Sequence, residues 1–200
     1  MRVVAGQFGG RVIASPSDKT TRPTTDRVRE SMFSSLFSRL GAFDGVTVLD
    51  AFAGSGALGI EALSRGAAAC TFFEVDAAAR KVLEENLASL SLHAPQAHVR
   101  AGDVFAAVAG GALCPDGPFG LVLLDPPYAE PAERVAGLLE GLSASGALAA
   151  GAVVAYEHAH ADAREAAAVF EESFRFAVTG QKKYGKIGVT YLEHVAGCES

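Results

Sequence analysis

The sequence predicts an α/β fold built on a mostly parallel sheet, and three observations carry that expectation. From Val46 onward short apolar runs alternate with helical patterns, as they do where crossover helices cover both faces of a parallel sheet. A glycine loop, Gly54-Ser55-Gly56-Ala57-Leu58-Gly59, joins the first of these strands to the first of these helices. Length and composition agree: 200 residues, 50% hydrophobic and 20% charged, suffice for one domain with a small appendage and exclude disordered, collagen-like and disulfide-scaffold classes.

The elements follow in order. Val3, Val4 and Val12, Ile13 flank Phe8-Gly9-Gly10, where glycines supply the positive φ angles of a tight turn, so the chain is expected to start with a hairpin. Ser15-Pro16 ends it, and Thr20 to Asp26 reads as an extended stretch whose Thr25 or Asp26 caps a helix running to about Leu40. Val28, Met32, Leu36 and Leu40 recur at i+4 with Phe33 and Phe37 beside them, and Arg27 and Arg29 lie off that stripe. Gly41 and Gly45 punctuate the end, which divides the chain into an arm, residues 1–42, and a core domain, residues 43–200. In the core, strands are expected at 46–49, 71–73, 97–100, 119–124 and 153–156, with helices at 57–65, 77–90 and 132–142. Two closing strands, around 174–179 and 187–193, have no room for a crossover helix between them. They are expected to pair antiparallel through Tyr184-Gly185.

The net charge of −6 argues against a polyanion partner only if it is evenly spread. It is not, because the first forty residues carry seven Lys/Arg against three Asp/Glu. A basic arm therefore precedes an acidic body. Cys70, Cys114 and Cys198 are far apart and in no metal-ligand spacing, which fits thiols in a reducing compartment and no metal. No apolar signal core opens the chain, and the longest apolar stretch, near 146–156, is about half of what a membrane span needs. A cytoplasmic protein with no membrane contact is expected.

The loop Asp50-Ala51-Phe52-Ala53-Gly54-Ser55-Gly56 follows the first core strand, and Glu74 stands twenty residues after Gly54 at the end of the second. Glycines let backbone pass close to a ligand, and an acid at that strand end accepts hydrogen bonds from ribose hydroxyls, so the site suits an adenosine-type cofactor. A dinucleotide places its pyrophosphate at the helix N-terminus. S-adenosylmethionine instead carries an ammonium and a sulfonium, for which the carboxylate of Asp50 is useful, and the spacing tilts the reading toward it. Asp50 capping its own turn is the bland alternative. Asp103, followed by Val104 after the third strand, is placed to accept from an adenine amino group, or to cap the next helix.

The fourth strand delivers Asp125-Pro126-Pro127-Tyr128 to the carboxyl edge of the sheet, where open α/β domains hold their ligands. An amine on an aromatic ring is a poor nucleophile because its lone pair is delocalised. The Asp125 carboxylate and the Pro126 carbonyl can both accept from its hydrogens, which aims the lone pair and stabilises the charge that develops. Prolines fix that backbone and add no N–H donor, and Tyr128 offers a face for a base to stack on. A rigid loop without chemistry is the alternative.

Taken together, these motifs resemble the amino-group methyltransferases that use S-adenosylmethionine. Arg2-Val-Val-Ala-Gly6, Gly10-Arg11, Thr21-Arg22-Pro-Thr-Thr-Asp-Arg27-Val-Arg-Glu30 and Lys183-Tyr-Gly185 narrow the resemblance to the RsmD family, guanine-N2 methyltransferases of bacterial 16S ribosomal RNA, over essentially the whole chain. The resemblance implies a Rossmann-like class I methyltransferase sheet. It assigns Asp50, Phe52, Ala53, Gly54, Ser55, Gly56, Glu74, Asp103 and Val104 to the cofactor, and Asp125, Pro126, Pro127 and Tyr128 to the target guanine. It also implies a substrate presented in small-subunit particles, and a monomeric enzyme is expected.

Arg2, Arg11, Lys19, Arg22, Arg27 and Arg29, with Lys182, Lys183 and Lys186, are expected to form a phosphate-binding rim. Within it Arg22 and then Arg27 are the preferred contacts. His158 and His160 share a strand face without a third ligand and are expected at the surface. Three rival functions compete: a DNA adenine-N6 or cytosine-N4 methyltransferase, a nicotinamide dehydrogenase, and a non-catalytic RNA-binding assembly factor. The first lacks room for a recognition domain, the second leaves Asp125 to Tyr128 unused, and the intact acids argue against the third.

Overall fold

A computed structural model describes residues 1–15, 26–111, 116–171 and 173–195. The chain divides into two compact units, Met1–Val104 and Phe105–Ser200. The segment holding Lys19, Arg22, Pro23 and Thr25 lies outside the described residues, as do Cys114 and Cys198.

In the first unit, α1 (Asp26–Leu40) precedes β1 (Thr47–Asp50), α2 (Ala57–Ser64), β2 (Ala69–Glu74), α3 (Ala77–Ser89) and β3 (Ala97–Ala101). The strands pair in the order β3-β2-β1, all parallel. Asp50 lies opposite Phe72 and Glu74 opposite Ala101, so the three strands end at one edge. Val48, Leu49, Phe72, Ile60 and Leu83 are fully buried, which is why β1 and β2 read as continuous apolar runs rather than alternating ones. The apolar stripe of α1 buries Met32, Phe33 and Leu36. Phe33 lies 5.7 Å from the ring of Phe43 and under the Arg65 guanidinium at 5.1 Å.

One expectation for the arm holds and one changes. The first fifteen residues turn back on themselves as expected: around the antiparallel bridge of Arg2 with Val12, Val3 N–H donates to the Arg11 carbonyl, Gly10 N–H to Val3 and Ile13 N–H to Met1, while other backbone donors are taken by helix side chains. Val4 and Ala5 N–H donate to the Glu61 carboxylate at 2.7 and 3.1 Å, and Phe8 N–H donates to Ser64 Oγ at 2.9 Å. The expected hairpin is therefore a strap laid on α2, with Val3 and Ile13 buried beneath it. Arg29, expected in the phosphate rim, is buried instead. Its guanidinium is 2.7 Å from the Asp26 carboxylate and donates to the Arg2 carbonyl. Phe37, expected beside the stripe, is 54% exposed.

In the second unit, α4 (Val104–Ala109), which starts at the boundary, is followed by β4 (Phe119–Leu124), α5 (Ala132–Ala144), β5 (Leu148–Ala159), a 3-10 turn at His160–Asp162, α6 (Ala163–Ala168), β6 (Phe176–Tyr184) and β7 (Ile187–His194). The strand order is β4-β5-β7-β6; β4 and β5 are parallel, and β7 runs antiparallel to both its neighbours. The expected hairpin is there, Tyr184 facing Ile187 across a two-residue turn. Gly185 at φ +66° in that turn takes the left-handed conformation a short hairpin requires.

β5 is longer than its apolar run suggests. Its polar residues Glu157 and His158 continue the ladder opposite Val189 and Gly188, and both are buried. The expectation of a surface His158 is therefore corrected: β7 covers it, and its ring nitrogens are satisfied inside. The whole is the mostly parallel, seven-strand α/β fold with an antiparallel C-terminal hairpin that the sequence predicts. Among the described residues no helix is long and apolar enough to cross a membrane.

Candidate active site

β1 ends on Asp50, and the turn that follows is held by its own carboxylates. Asp50 is 1% exposed, and its Oδ2 accepts the Gly59 N–H at 2.9 Å, tying the strand end to the first turn of α2. Glu74 Oε2 accepts the Gly54 N–H at 2.7 Å while Oε1 accepts Asp76 N–H at 2.7 Å. Ala53 N–H donates to the Phe73 carbonyl and Gly56 N–H to the Ala53 carbonyl. Glu74 and Phe73 hold the loop from β2, Asp50 ties β1 to α2, and Gly56 closes the turn on Ala53, so the loop's shape is set before any ligand arrives.

Two glycines are required by this geometry. Gly56 sits at φ +82°, and a Cβ there would lie 2.3 Å from Leu83 Cδ1. A Cβ on Gly59 would meet the Phe72 ring at 2.3 Å and Cys70 Sγ at 2.7 Å, so glycine is what lets α2 press against β2. The space a Cβ on Gly54 would enter is open. Phe52 is half-buried, Ala53 and Ser55 are buried, Asp103 is exposed just before α4, and Val104 is buried. Val75, which sequence reasoning passed over, is an apolar side chain 71% exposed directly after Glu74. The chemistry of these donors fits S-adenosylmethionine: carboxylates stand at or just beyond three strand ends, and Asp50 to Gly59 contains no Lys or Arg to neutralise a pyrophosphate.

In the second unit, β4 runs directly into Asp125-Pro126-Pro127-Tyr128. Pro126 is buried, Pro127 is exposed and its carbonyl accepts Glu130 N–H at 2.8 Å, and Tyr128 is 54% exposed. Asp125 retains some contact with solvent yet is deeply enclosed, and burial pushes its carboxyl up from 3.8 to about 6. It is mostly ionised at neutral pH and able to accept hydrogen bonds. Pro126, Pro127 and Tyr128 form one wall of a cavity of about 330 Å³ whose other side includes Tyr156, Glu157 and His158.

That far wall is rigid. The Ala159 carbonyl can only accept, so His158 Nδ1–H is the donor at 2.9 Å, and Nε2 accepts from the Thr190 hydroxyl at 2.9 Å. Gln181 Nε2 donates to the same hydroxyl oxygen. Burial lowers the His158 pKa and keeps the ring neutral. Tyr156 is pushed up to about 12 by burial and by the carboxylates of Asp162, Glu165, Glu130 and Glu133. The cavity thus favours groups that donate hydrogen bonds over anions.

The basic residues divide. Arg2 is 65% exposed and pairs with Asp26 at 3.1 Å; Arg11 is exposed and donates to the Ser89 carbonyl. Arg27, Lys182, Lys183 and Lys186 are exposed. Arg22 lies outside the described residues.

The family description "Conserved hypothetical protein 95" matches residues 1–193. The chain belongs to this family, the RsmD family. Among its relatives, "Putative rRNA methyltransferase YlbH" of Bacillus subtilis is 43% identical over 130 residues, 65% of this chain and 68% of that protein. "Ribosomal RNA small subunit methyltransferase D" of Escherichia coli K12 is 41% identical over 128 residues, 64% of this chain and 60% of its own length. The solved structure of "Putative methyltransferase yhhF from Escherichia coli" superposes with a TM-score of 0.75 at 32% identity, covering 98% of each chain. The fold is that of the class I methyltransferases.

Proposed function

We propose that this RsmD-family chain transfers a methyl group from S-adenosylmethionine to the exocyclic N2 of a guanine in 16S ribosomal RNA, in line, on a flipped base. The observation that carries the reading is the Asp125-Pro126-Pro127-Tyr128 turn at a strand end, whose Pro126, Pro127 and Tyr128, next to Asp125, line a cavity suited to hydrogen-bond donors. The relative named as a ribosomal RNA small subunit methyltransferase supports the substrate class.

S-adenosylmethionine, when bound, supplies an electrophilic methyl group on a sulfonium. Glu74 is the acceptor for its ribose hydroxyls, and Val75 offers an apolar face to its adenine, with Asp103 beside the amino group. Asp50 acts one step back, holding Gly59 and hence the turn. On the substrate, the Asp125 carboxylate and the Pro126 carbonyl accept from the two hydrogens of the guanine amine, leaving its lone pair directed at the methyl. Tyr128 stacks on the extruded base, and alignment supplies the rate without a covalent intermediate. Either Asp125 or water takes the released proton, because the methylated amine is a strong acid before it loses one. Arg2, Arg11, Arg27, Lys182 and Lys183, with Arg22, contact phosphates of RNA held in a small-subunit particle, and the enzyme acts as a monomer.

Labelled S-adenosylmethionine incubated with small subunits from cells lacking the enzyme, followed by nucleoside identification, tests this reading. Labelled N2-methylguanine is expected. Labelled N6-methyladenine, or no label while S-adenosylhomocysteine binds, overturns the guanine assignment.

A further inference from the structure

Asn86 looks in sequence like one more polar residue on an exposed helix, but it is 3% exposed and its side-chain amide is fully used. Its Oδ1 accepts the Ala14 N–H at 2.7 Å, and its Nδ2 donates to the Ala14 carbonyl at 3.0 Å and to the Ser55 carbonyl at 2.9 Å. An amide has one acceptor and two donor hydrogens, and these three partners match it in only one orientation of the group. Two of the bonds copy the pairing a β-strand would give Ala14, while the third reaches the middle of the glycine loop. One side chain therefore joins the N-terminal strap to the loop, across 72 residues of sequence on one side and 31 on the other.

The strap around this point is firmly seated. Glu61, fully buried, receives Val4 and Ala5 N–H and the Arg65 Nε–H at 2.7 Å. Gly6, at φ +83°, approaches α2 so closely that a Cβ would fall 1.8 Å from the Ser64 carbonyl oxygen. Arg11 donates to Ser89 on the far end of α3. The strap is thus fixed to α2 at one end and to α3 at the other. Asn86 carries its hydrogen bond to the loop backbone, beside a longer 4.0 Å contact of Met1 Sδ with the Ser55 hydroxyl, and the neighbours of Ser55, Gly54 and Gly56, are those the cofactor must approach.

We propose that Asn86 is a positioning residue that makes the strap and the cofactor loop a single hydrogen-bonded unit, so that occupancy of the loop is felt at Ala14. The proposal rests on the reading of that loop as the S-adenosylmethionine site. No other common side chain of this size replaces the amide. Aspartate keeps the acceptor for Ala14 N–H but loses both donors and turns a negative oxygen toward two carbonyls, and leucine removes all three bonds and leaves the buried Ser55 carbonyl without this partner.

The test uses the full chain and S-adenosylhomocysteine as probe. Hydrogen exchange is followed at Ala14 and at loop residues 54–56, with and without the probe, in wild type and in Asn86→Asp. In wild type, the probe is expected to slow exchange at both places. In Asn86→Asp, the Kd for the probe is expected to rise about tenfold, and protection at Ala14 on binding is lost while some loop protection remains. A residue that only supports the fold would lower Tm yet leave the Kd unchanged; that result overturns the proposal. So does a wild type in which the probe protects the loop but leaves Ala14 unaffected, a measurement that needs no variant. Failure of wild type to bind the probe at all is a separate outcome, and overturns the reading of the loop itself together with the proposal.

Discussion

The glycine loop and the Asp125 turn both end parallel strands in a carboxylate, yet the two carboxylates are treated oppositely. Asp50 is enclosed and given a backbone N–H, so its charge maintains the turn. Asp125 is enclosed and its pKa rises to about 6 for that reason. A site that must hold one ligand in one shape benefits from acids that pin its own backbone. A site that must grip a reacting amine needs an acceptor held ready for it, and here that readiness opposes stability. The contrast separates binding from chemistry along the chain.

The largest effect that can break this contrast is at Asp125. Asp125→Ala should lower methyl transfer by roughly a thousandfold or more, the scale of removing a principal electrostatic contact to the transition state, while the Kd for S-adenosylhomocysteine stays within about twofold. Loss of cofactor affinity, read by titration calorimetry, would show that the two carboxylates share one task.

A smaller effect is expected in the loop. Gly56→Ala combines a positive φ with a Cβ 2.3 Å from Leu83, so it should cost about 2 kcal/mol of stability and weaken S-adenosylhomocysteine binding roughly tenfold. Denaturant unfolding and ligand titration check both numbers. A variant as stable and as tight-binding as wild type would mean the loop is not held in advance.

The smallest effect sharpens the energetic side. The folded pKa of Asp125 lies above its ordinary value of 3.8, so ionisation is less favourable in the folded chain and stability falls as pH rises through about 6. Asp125→Asn should therefore be more stable than wild type above pH 6, by on the order of 3 kcal/mol, or roughly 6–12 °C in Tm for a chain of this size. The advantage should shrink between pH 6 and 4 and vanish below. An advantage that persists at pH 3.5 would trace the gain to packing rather than charge.

How much of this was readable from sequence depended on the range over which each residue acts. Gly54, Gly56, Gly59, Glu74 and Asp125 to Tyr128 are legible because the local pattern of strand, turn and helix already dictates their setting. Asn86 and Glu61 were not, because their partners lie at Ala14, Val4 and Ala5, more than fifty residues away. Arg29 misled for a related reason: position on a helix indicates which face a residue occupies, but not that Asp26 and the Arg2 carbonyl would draw a guanidinium inside. His158 was misjudged because a polar residue at a strand end looks exposed until Thr190 on β7 supplies its hydrogen bond. α6 escaped notice because six residues of mostly alanine carry no periodicity.

The strap has a consequence for how the molecule comes into being. During synthesis the first fifteen residues are made before any of their anchors, since Glu61, Ser64 and Asn86 follow tens of residues later. At about 5–20 residues per second, the strap waits several seconds for these anchors, with its backbone donors solvated and its valine and isoleucine exposed. Residues made before their anchors are thus among the last to find their places. The strap acquires its final hydrogen bonds only once α3 has formed.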